Sequence, residues 1–323
     1  MKVGYSPKVL FQTTAPTEGD KFVGAIGERN TNGVFFAVSW SPDANYPLNR
    51  DFVRAFAKRY PWITDYTPVN EPLTTARFSG LYGHWYPHQH DVNAMFRATV
   101  IQCLGIARAM KAIRAVNPAA ELVVTEDVGK SFATAELAYQ ADHENERRWV
   151  SLDLLAGRVV EGHPFRRWLR NKAASESELD ELATGEARPD IIGFDHYLTS
   201  ERFLDHRVGR YPGVEPGSNG RHFYVDVEAA RIDRLRPQLG PAARLRETWE
   251  RYGIPIAVTE VHHGCHRDEQ LRWFAEAWET AKRLRAEGMD LCAVTLWSLF
   301  GNVDWRFLLA QRRGLYDTGA FDV

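Results

Sequence analysis

The chain is poor in everything that would mark it for export, for a membrane or for a polyanion. It has only three cysteines, Cys103, Cys265 and Cys292, widely spaced and with no CxxC pair. That argues against a disulfide framework or a Cys-rich zinc site and predicts a reducing, cytoplasmic home. No apolar run approaches the roughly 18–20 residues of a membrane span. The stretch Met1 to Thr14 lacks the long apolar segment and small-residue cleavage site of a secretory leader. Charge of one sign is lacking too: 40 Lys and Arg stand against 42 Asp and Glu, a net charge of −2. No global basic field therefore exists to draw the chain to nucleic acid or to an anionic membrane, and neither is expected as a partner. Neither GxGxxG nor GxxxxGK[ST] follows any strand-like run, so a nucleotide-binding doubly wound sheet has no support.

What the chain does have is length, an ordinary core composition and many aromatic rings. Its 323 residues, 44% hydrophobic and 25% charged, suffice for one large domain, expected to span 1–323 with an atypical segment over 1–45. Aromatic residues reach 12%, with ten tryptophans. Many such rings belong in a core, but flat rings also stack on the apolar faces of sugars.

From residue 45 onward, strand-like runs alternate with helix-like ones. A helix over Asp51–Tyr60 places Phe52, Val53, Phe56, Ala57 and Tyr60 on one face and stops at Pro61. Asp91 is set to cap a long helix in which Met95, Phe96, Val100, Cys103, Leu104, Ala107 and Met110 recur at spacings of three and four. Short apolar runs follow at Leu122–Thr125, Ile191–Phe194 and Ile256–Thr259, and a longer one at Leu291–Leu299. Between the last two, Asp268 opens a helix expected to turn Leu271, Phe274, Ala275, Trp278, Ala281 and Leu284 inward. Apolar strands alternating with amphipathic helices predict parallel pairing through helical crossovers, and a (β/α)8 TIM-type barrel is the expected architecture. Chemistry in such barrels collects at the C-terminal strand ends. There stand Asn70-Glu71, Glu126-Asp127, Asp195-His196-Tyr197, Glu260 and Trp297.

The front fits less well. Lys8–Thr14, Lys21–Ile26 and Gly33–Trp40 are strand-like, but consecutive runs are only about six residues apart, and a parallel crossover needs a dozen or more. Either these runs make an antiparallel hairpin-like patch or the front of the barrel is incomplete. Farther on, Ala173–Pro189 reads as a surface helix plus loop, and the glycine- and proline-rich His206–Arg221 as a long loop over the barrel mouth.

Glu71 and Glu260 are the pair that could do chemistry, because each directly follows an apolar strand. A desolvated carboxyl near another carboxylate can have its pKa raised enough to act as an acid near neutrality, while its partner stays ionised. Two carboxyls about 5–5.5 Å apart across a glycosidic bond give hydrolysis with retention, and roughly 6.5–9.5 Å gives inversion. Either glutamate could equally serve as a strand-end ion-pair partner.

Four segments in order resemble family 1 glycoside hydrolases. Val69-Asn70-Glu71-Pro72 is similar to that family's N-E-P signature, and Gly193-Phe194-Asp195-His196-Tyr197 to its G-x-N-Y-Y. Ala257-Val258-Thr259-Glu260 resembles the start of its I-T-E-N-G, and Trp297-Ser298-Leu299-Phe300-Gly301-Asn302-Val303-Asp304-Trp305 its W-S-L-x-D-N-x-E-W. The resemblance implies Glu71 as general acid/base and Glu260 as nucleophile in retaining hydrolysis of a β-linked sugar, with no cofactor and no metal. It also implies Asn70 at the sugar 2-hydroxyl, Tyr197 holding the nucleophile, Trp297 as stacking platform, and Asp304 with Trp305 at the outer hydroxyls. The sequence departs from the family at Asp195 for Asn, Asp304 for Glu, Gly301 for Asp and Val261-His262-His263-Gly264 after the nucleophile. Phe35 falls where the strand-two Arg belongs, and the strand-one Gln has no counterpart, so sugar-binding residues of the N-terminal strands are missing. The variety it resembles is the domain fused ahead of nucleotide-sugar reductases of the dTDP-4-dehydrorhamnose type, which implies such a reductase as partner. The alternative is a non-catalytic carbohydrate-binding or scaffold domain of deoxysugar metabolism.

Two histidine clusters, His84/His88/His90 and His262/His263/Cys265/His266, carry zinc-type ligands. Without a clear helical i,i+4 placement, rim hydrogen bonding or loop packing is expected of them instead. Glu126-Asp127 is expected to form a strand-end ion-pair or hydrogen-bonding site, and the basic stretch Arg231–Arg246 a solvated face.

Overall fold

The computed structural model describes residues 10–12, 34–36, 51, 54–55, 58–60, 62–229 and 232–322. The expected strand Lys21–Ile26 lies outside them, as do Phe52, Val53, Phe56 and Ala57 of the expected first helix; residues 51, 54–55 and 58–59 are helical.

Two short strands open the chain, β1 (Leu10–Gln12) and β2 (Val34–Phe36). They pair in parallel, Leu10 opposite Val34, which corrects the antiparallel alternative. The partners are not consecutive runs: residues 13–33 lie between them, enough for the crossover that parallel pairing needs.

Strand β3 (Asp65–Tyr66) leads through α1 (Pro72–Ala76) and a π-helical segment (Arg77–Leu81) into α2 (Val92–Val116). Strand β4 (Glu121–Asp127) runs on into β5 (Lys130–Ala133). Helices α3 (Ala138–Arg147), α4 (Val150–Leu155), α5 (Arg166–Lys172) and α6 (Glu176–Ala183) return the chain to β6 (Ile191–Asp195), which continues into β7 (Glu201–Asp205). Then come β8 (Gly217–Ser218), β9 (Phe223–Glu228), α7 (Pro241–Tyr252), β10 (Ile256–Val261), α8 (Arg267–Ala286) and β11 (Leu291–Leu296). A small antiparallel pair, β12 (Asn302–Val303) and β13 (Tyr316–Asp317), ends it.

Among the described residues, the main sheet has five strands in the order β3-β4-β6-β10-β11, every neighbour parallel. It is a curled half of a (β/α)8 barrel, and among the described residues β3 and β11 are its open edges. Parallel strands covered by crossover helices must be apolar along their length. Accordingly Leu122, Val124, Ile192, Phe194, Ile256 and Val258 form one core with Phe96, Cys103 and Met110 of α2 and Leu152 and Leu155 of α4. Asp91 caps α2 by accepting the Asn93 N–H at 2.9 Å. On α8 the inward face begins later than expected. Leu271 is 58% and Trp278 45% exposed, while Ala277, Ala281 and Leu284 are buried. Trp273 and Phe274 pack half-buried against the core, and β11 is an edge strand with nothing beyond it among the described residues to cover Leu271 and Trp278.

Beyond the barrel mouth stands a second sheet, β5-β7-β9-β8, which the sequence pattern did not announce. Its β5–β7 pair is parallel and prolongs the β4–β6 pairing past the strand ends. Gly129 makes that continuation possible, since a Cβ there would come within 2.1 Å of the Ser200 carbonyl oxygen. The fully buried Arg244 of α7 ties this layer down, donating to Glu201 of β7 at 3.1 Å and to Glu247 at 2.9 Å. Among the described residues, no helix is long and apolar enough to cross a membrane.

Candidate active site

The C-terminal ends of β3, β4, β6 and β10 converge on three carboxyl groups. One oxygen from each of Glu71, Asp195 and Glu260 lies within 4.8 Å of the others. Glu71 comes from the turn between β3 and α1, Asp195 from the last residue of β6, and Glu260 from the end of β10. Glu71 sits in the left-handed region (φ 43°), a conformation that costs a non-glycine residue about 1–3 kcal/mol. Pro72 starts α1 immediately after it, and the Glu71 N–H donates to Thr125 Oγ1 at 3.1 Å. These contacts aim the carboxyl at the mouth.

Glu260 is held from two sides. The Asn70 amide donates to its Oε1 at 3.3 Å, and the Tyr197 hydroxyl donates to its Oε2. Asn70 is itself oriented by the Thr125 hydroxyl, which donates to its Oδ1 at 2.7 Å. Asp195 accepts from the Thr259 hydroxyl at 2.6 Å. Its other oxygen, like Oε1 of Glu71, is enclosed and makes no hydrogen bond. Gly193 leaves room for this arrangement: a Cβ there would lie 2.6 Å from Thr125 Cγ2 and 2.8 Å from Thr259 Oγ1.

The three acids are not equivalent. Burial, and then the charges of Asp195 and Glu260, push Glu71 well above the ordinary carboxylate range. Asp195 is likewise pushed well up, by burial and by Glu260. Burial also raises Glu260, but the hydrogen bonds from Tyr197 and Asn70 oppose that rise. Donors that stabilise the charged form mark Glu260 as the member to ionise and leave Glu71 as the one to hold a proton. Burial and the Glu260 charge raise Tyr197, so its hydroxyl stays a donor.

Next to this trio lies a second acid pair. Glu126 accepts from the Leu73 N–H and the Ser151 hydroxyl, both at 2.6 Å, and burial pushes it up to about 7. Asp127 faces Arg77 at 3.6 Å. These contacts fasten α1 and α4 to the end of β4, a structural task. His196, stacked on Phe194 and pushed down to about 3 by burial and by Arg244, stays neutral.

The aromatic floor comes from the segment after β11. Trp297 and Trp305 are both half-buried, with ring centroids 5.2 Å apart, and His262 meets Trp297 edge-on at 5.0 Å. The Trp297 N–H donates to the Val261 carbonyl at 3.2 Å, which places this ring beside the end of β10. Asp304 has a different engagement from the one its motif implies. Its two oxygens accept the backbone N–H groups of Arg313, Gly314 and Leu315 at 2.9, 2.8 and 2.8 Å, so it clips a loop.

Of the residues singled out in the sequence, Asn70, Glu71, Tyr197 and Glu260 thus come together directly, with Trp297 beside them. Thr125, Thr259 and Arg77 were missed. The only trace of the first two was a Thr-Glu pair at the end of β4 and again at the end of β10. The His84/His88/His90 segment packs as a loop. His84 lies edge-on to Phe78 at 5.6 Å, His88 Nδ1 hydrogen-bonds the Gly83 carbonyl oxygen at 2.9 Å, and the Trp85 indole N–H donates to the Leu308 carbonyl at 2.6 Å.

A half-barrel of parallel strands gathers two glutamates, an amide and a phenol at its C-terminal ends, with paired indoles nearby, which is the arrangement of a (β/α)8-type protein with its candidate site at the barrel mouth. The chain matches the profile of Glycosyl hydrolase family 1 over residues 49–319 and belongs to that family. Its fold is similar to that of the family 1 β-glucosidase from Thermotoga maritima. The structure of that enzyme with noeuromycin superposes with a TM-score of 0.61 at 18% identity, covering 84% of this chain and 61% of that one. The complex with glucoimidazole gives 0.62 at 16% identity over the same shares, and the complex with deoxynojirimycin 0.61 at 17%, covering 94% and 72%. In the first of these alignments the chain thus spans about 61% of the β-glucosidase's length.

Proposed function

We propose that the protein is a retaining glycosidase acting on β-linked sugars, with Glu260 as nucleophile and Glu71 as acid/base. The approach of one Glu71 oxygen to within 4.8 Å of one from Glu260 carries this reading, because it fits the short separation of double displacement better than the roughly 6.5–9.5 Å of inversion. Ionised Glu260 attacks the anomeric carbon while Glu71 gives its proton to the departing glycosidic oxygen. A glycosyl–Glu260 ester forms and the aglycone leaves as an alcohol. Glu71, now ionised, takes a proton from water, whose oxygen attacks the anomeric carbon from the face the aglycone left. The sugar departs with its original configuration, and Glu71 is protonated again.

Asn70, whose amide donates to Glu260, is assigned the sugar 2-hydroxyl, a contact that strengthens as the oxocarbenium-like state develops. Tyr197 keeps Glu260 ionised and aimed. Trp297 and Trp305 supply the stacking surface, and Asp304 acts on the sugar indirectly, by holding the loop beside Trp305. No step needs a cofactor. On its motif resemblance we assign it a nucleotide-sugar reductase as partner, and its three free thiols fit a cytoplasmic home.

The test is a panel of 2,4-dinitrophenyl and 4-nitrophenyl β-glycosides followed from the first turnover. Inactivation by the matching 2-deoxy-2-fluoro-β-glycoside is then mapped by mass spectrometry. The expected result is phenol release and a sugar adduct on the peptide carrying Glu260. Sugar binding without turnover or adduct would instead make the protein a non-catalytic carbohydrate-binding domain.

A further inference from the structure

We propose that His263, Cys265 and Glu269 form a site for a zinc-type divalent cation, which clips the end of β10 to the first turn of α8. An imidazole nitrogen, a thiol sulfur and a carboxylate oxygen from these three residues all lie within 4.8 Å of one another. A mixed N, S and O donor set suits Zn²⁺ and its neighbours in the first transition row, not Mg²⁺ or Ca²⁺, which take oxygen ligands. Three protein ligands leave a fourth tetrahedral position for water.

The local backbone brings these side chains together. The Cys265 N–H donates to the His263 carbonyl at 2.8 Å, a tight turn that puts residues 263 and 265 side by side. The Glu269 N–H donates to the His266 carbonyl at 3.0 Å as α8 begins, which carries Glu269 back over that turn.

Among the described residues, none of the three is committed elsewhere. His263 meets Trp273 only ring to ring at 6.2 Å, and the Cys265 thiol makes one weak contact, to the His266 carbonyl at 3.5 Å. Glu269 has no ion pair among the described residues, although nearby Arg267 is spent on the carbonyl oxygens of Ala320 and Asp322. A bound dication would take the sulfur as thiolate, with release of its proton to solvent.

The clip also reaches the aromatic floor. His262, next along the chain, accepts the Ser298 N–H at 3.4 Å and abuts Trp297. Fixing residue 263 would therefore hold the ring that supports Trp297. The site stands apart from the glycosidase reading, and its test needs no glycoside.

The experiment is titration of the whole reduced protein with CoCl₂, then with ZnCl₂, followed by absorption and by thermal unfolding. One equivalent of Co²⁺ should give visible bands of four-coordinate metal together with a near-ultraviolet thiolate-to-metal charge-transfer band, and Zn²⁺ should bleach both and raise Tm. Cys265→Ser should lose the charge-transfer band and the Tm gain, while Cys292→Ser keeps them. Glu269→Gln, at an exposed position that cannot threaten the fold, should weaken Co²⁺ binding about tenfold or more. Absence of the charge-transfer band in the wild-type protein, its persistence in Cys265→Ser, or unchanged affinity in Glu269→Gln would overturn the proposal.

Discussion

The Tyr197 hydroxyl donates to Oε2 of Glu260 across 63 residues of sequence, joining the loop after β6 to the end of β10. This bond stabilises the charged carboxylate and so lowers the pKa of the proposed nucleophile. Removing it with Tyr197→Phe should raise that pKa. The acid limb of kcat/KM should move to higher pH, with a loss of about 10–100-fold at the optimum, as expected for a hydrogen bond to a charged group. A pH–rate profile on an activated aryl β-glycoside measures both. An unmoved acid limb would separate Tyr197 from the ionisation of Glu260.

The two glutamates should separate under azide. In Glu71→Ala, azide can intercept the glycosyl–enzyme and give the β-glycosyl azide, and substrates with poor leaving groups should suffer far more than activated ones. In Glu260→Ala, azide replaces the missing nucleophile and gives the α-product. Proton NMR of the anomeric centre distinguishes them, and the reverse pairing would exchange the two roles.

Asp195 is a positioning residue with a readable signature. It is 0% exposed and stands beside Glu71, whose pKa its charge helps to raise. In Asp195→Asn the acceptor for the Thr259 hydroxyl remains while the charge is gone. The basic limb of the profile, set by deprotonation of Glu71, should move to lower pH. Equal profiles for the two proteins would remove Asp195 from the tuning of Glu71.

Gly193→Ala should damage stability and activity together. The new methyl would sit 2.6 Å from Thr125 Cγ2 and 2.8 Å from Thr259 Oγ1, pressing on the threonines that orient Asn70 and Asp195. Overpacking of this kind costs about 1–3 kcal/mol, measurable by urea unfolding. Wild-type kcat in this variant would show that the threonines do not position the site.

Glu126 predicts a pH dependence of stability. Its folded pKa, pushed up to about 7, lies above the ordinary carboxyl value, so between them the folded state holds a proton that the unfolded chain has released. Stability from this group is full below the unfolded value and is lost as pH rises through about 7, on the order of 3 kcal/mol in all. Tm should fall from pH 5 to pH 8, and Glu126→Gln should flatten that slope.

Much of the scaffold was legible in the sequence because its signals are local. Asp91 with the three- and four-residue spacing from Met95 to Met110 dictates α2, and the uninterrupted apolar runs at Leu122, Ile191 and Ile256 can only be strands covered on both faces. Short motifs at strand ends likewise brought out Asn70, Glu71, Tyr197 and Glu260. The inward face of α8 was read too long, because periodicity records which residues share a side but not how far a neighbouring strand extends along it. The second sheet was not legible, since β5 and β7 continue the pairing of β4 and β6 past Gly129 and are only four and five residues long, with their few apolar residues set among charged ones.

The order of residues along the chain thus determined which elements form and which groups stand at their ends. Only the curl of the sheet decided which of those groups meet. It set Asp195 against Glu71 and Glu260, whereas local turns gave Asp304 to the backbone of Arg313–Leu315 and brought His263, Cys265 and Glu269 to one point. Hydrophobic pattern and capping act over a few residues, whereas the charge and desolvation that distinguish one carboxyl from another arise between strands far apart in sequence.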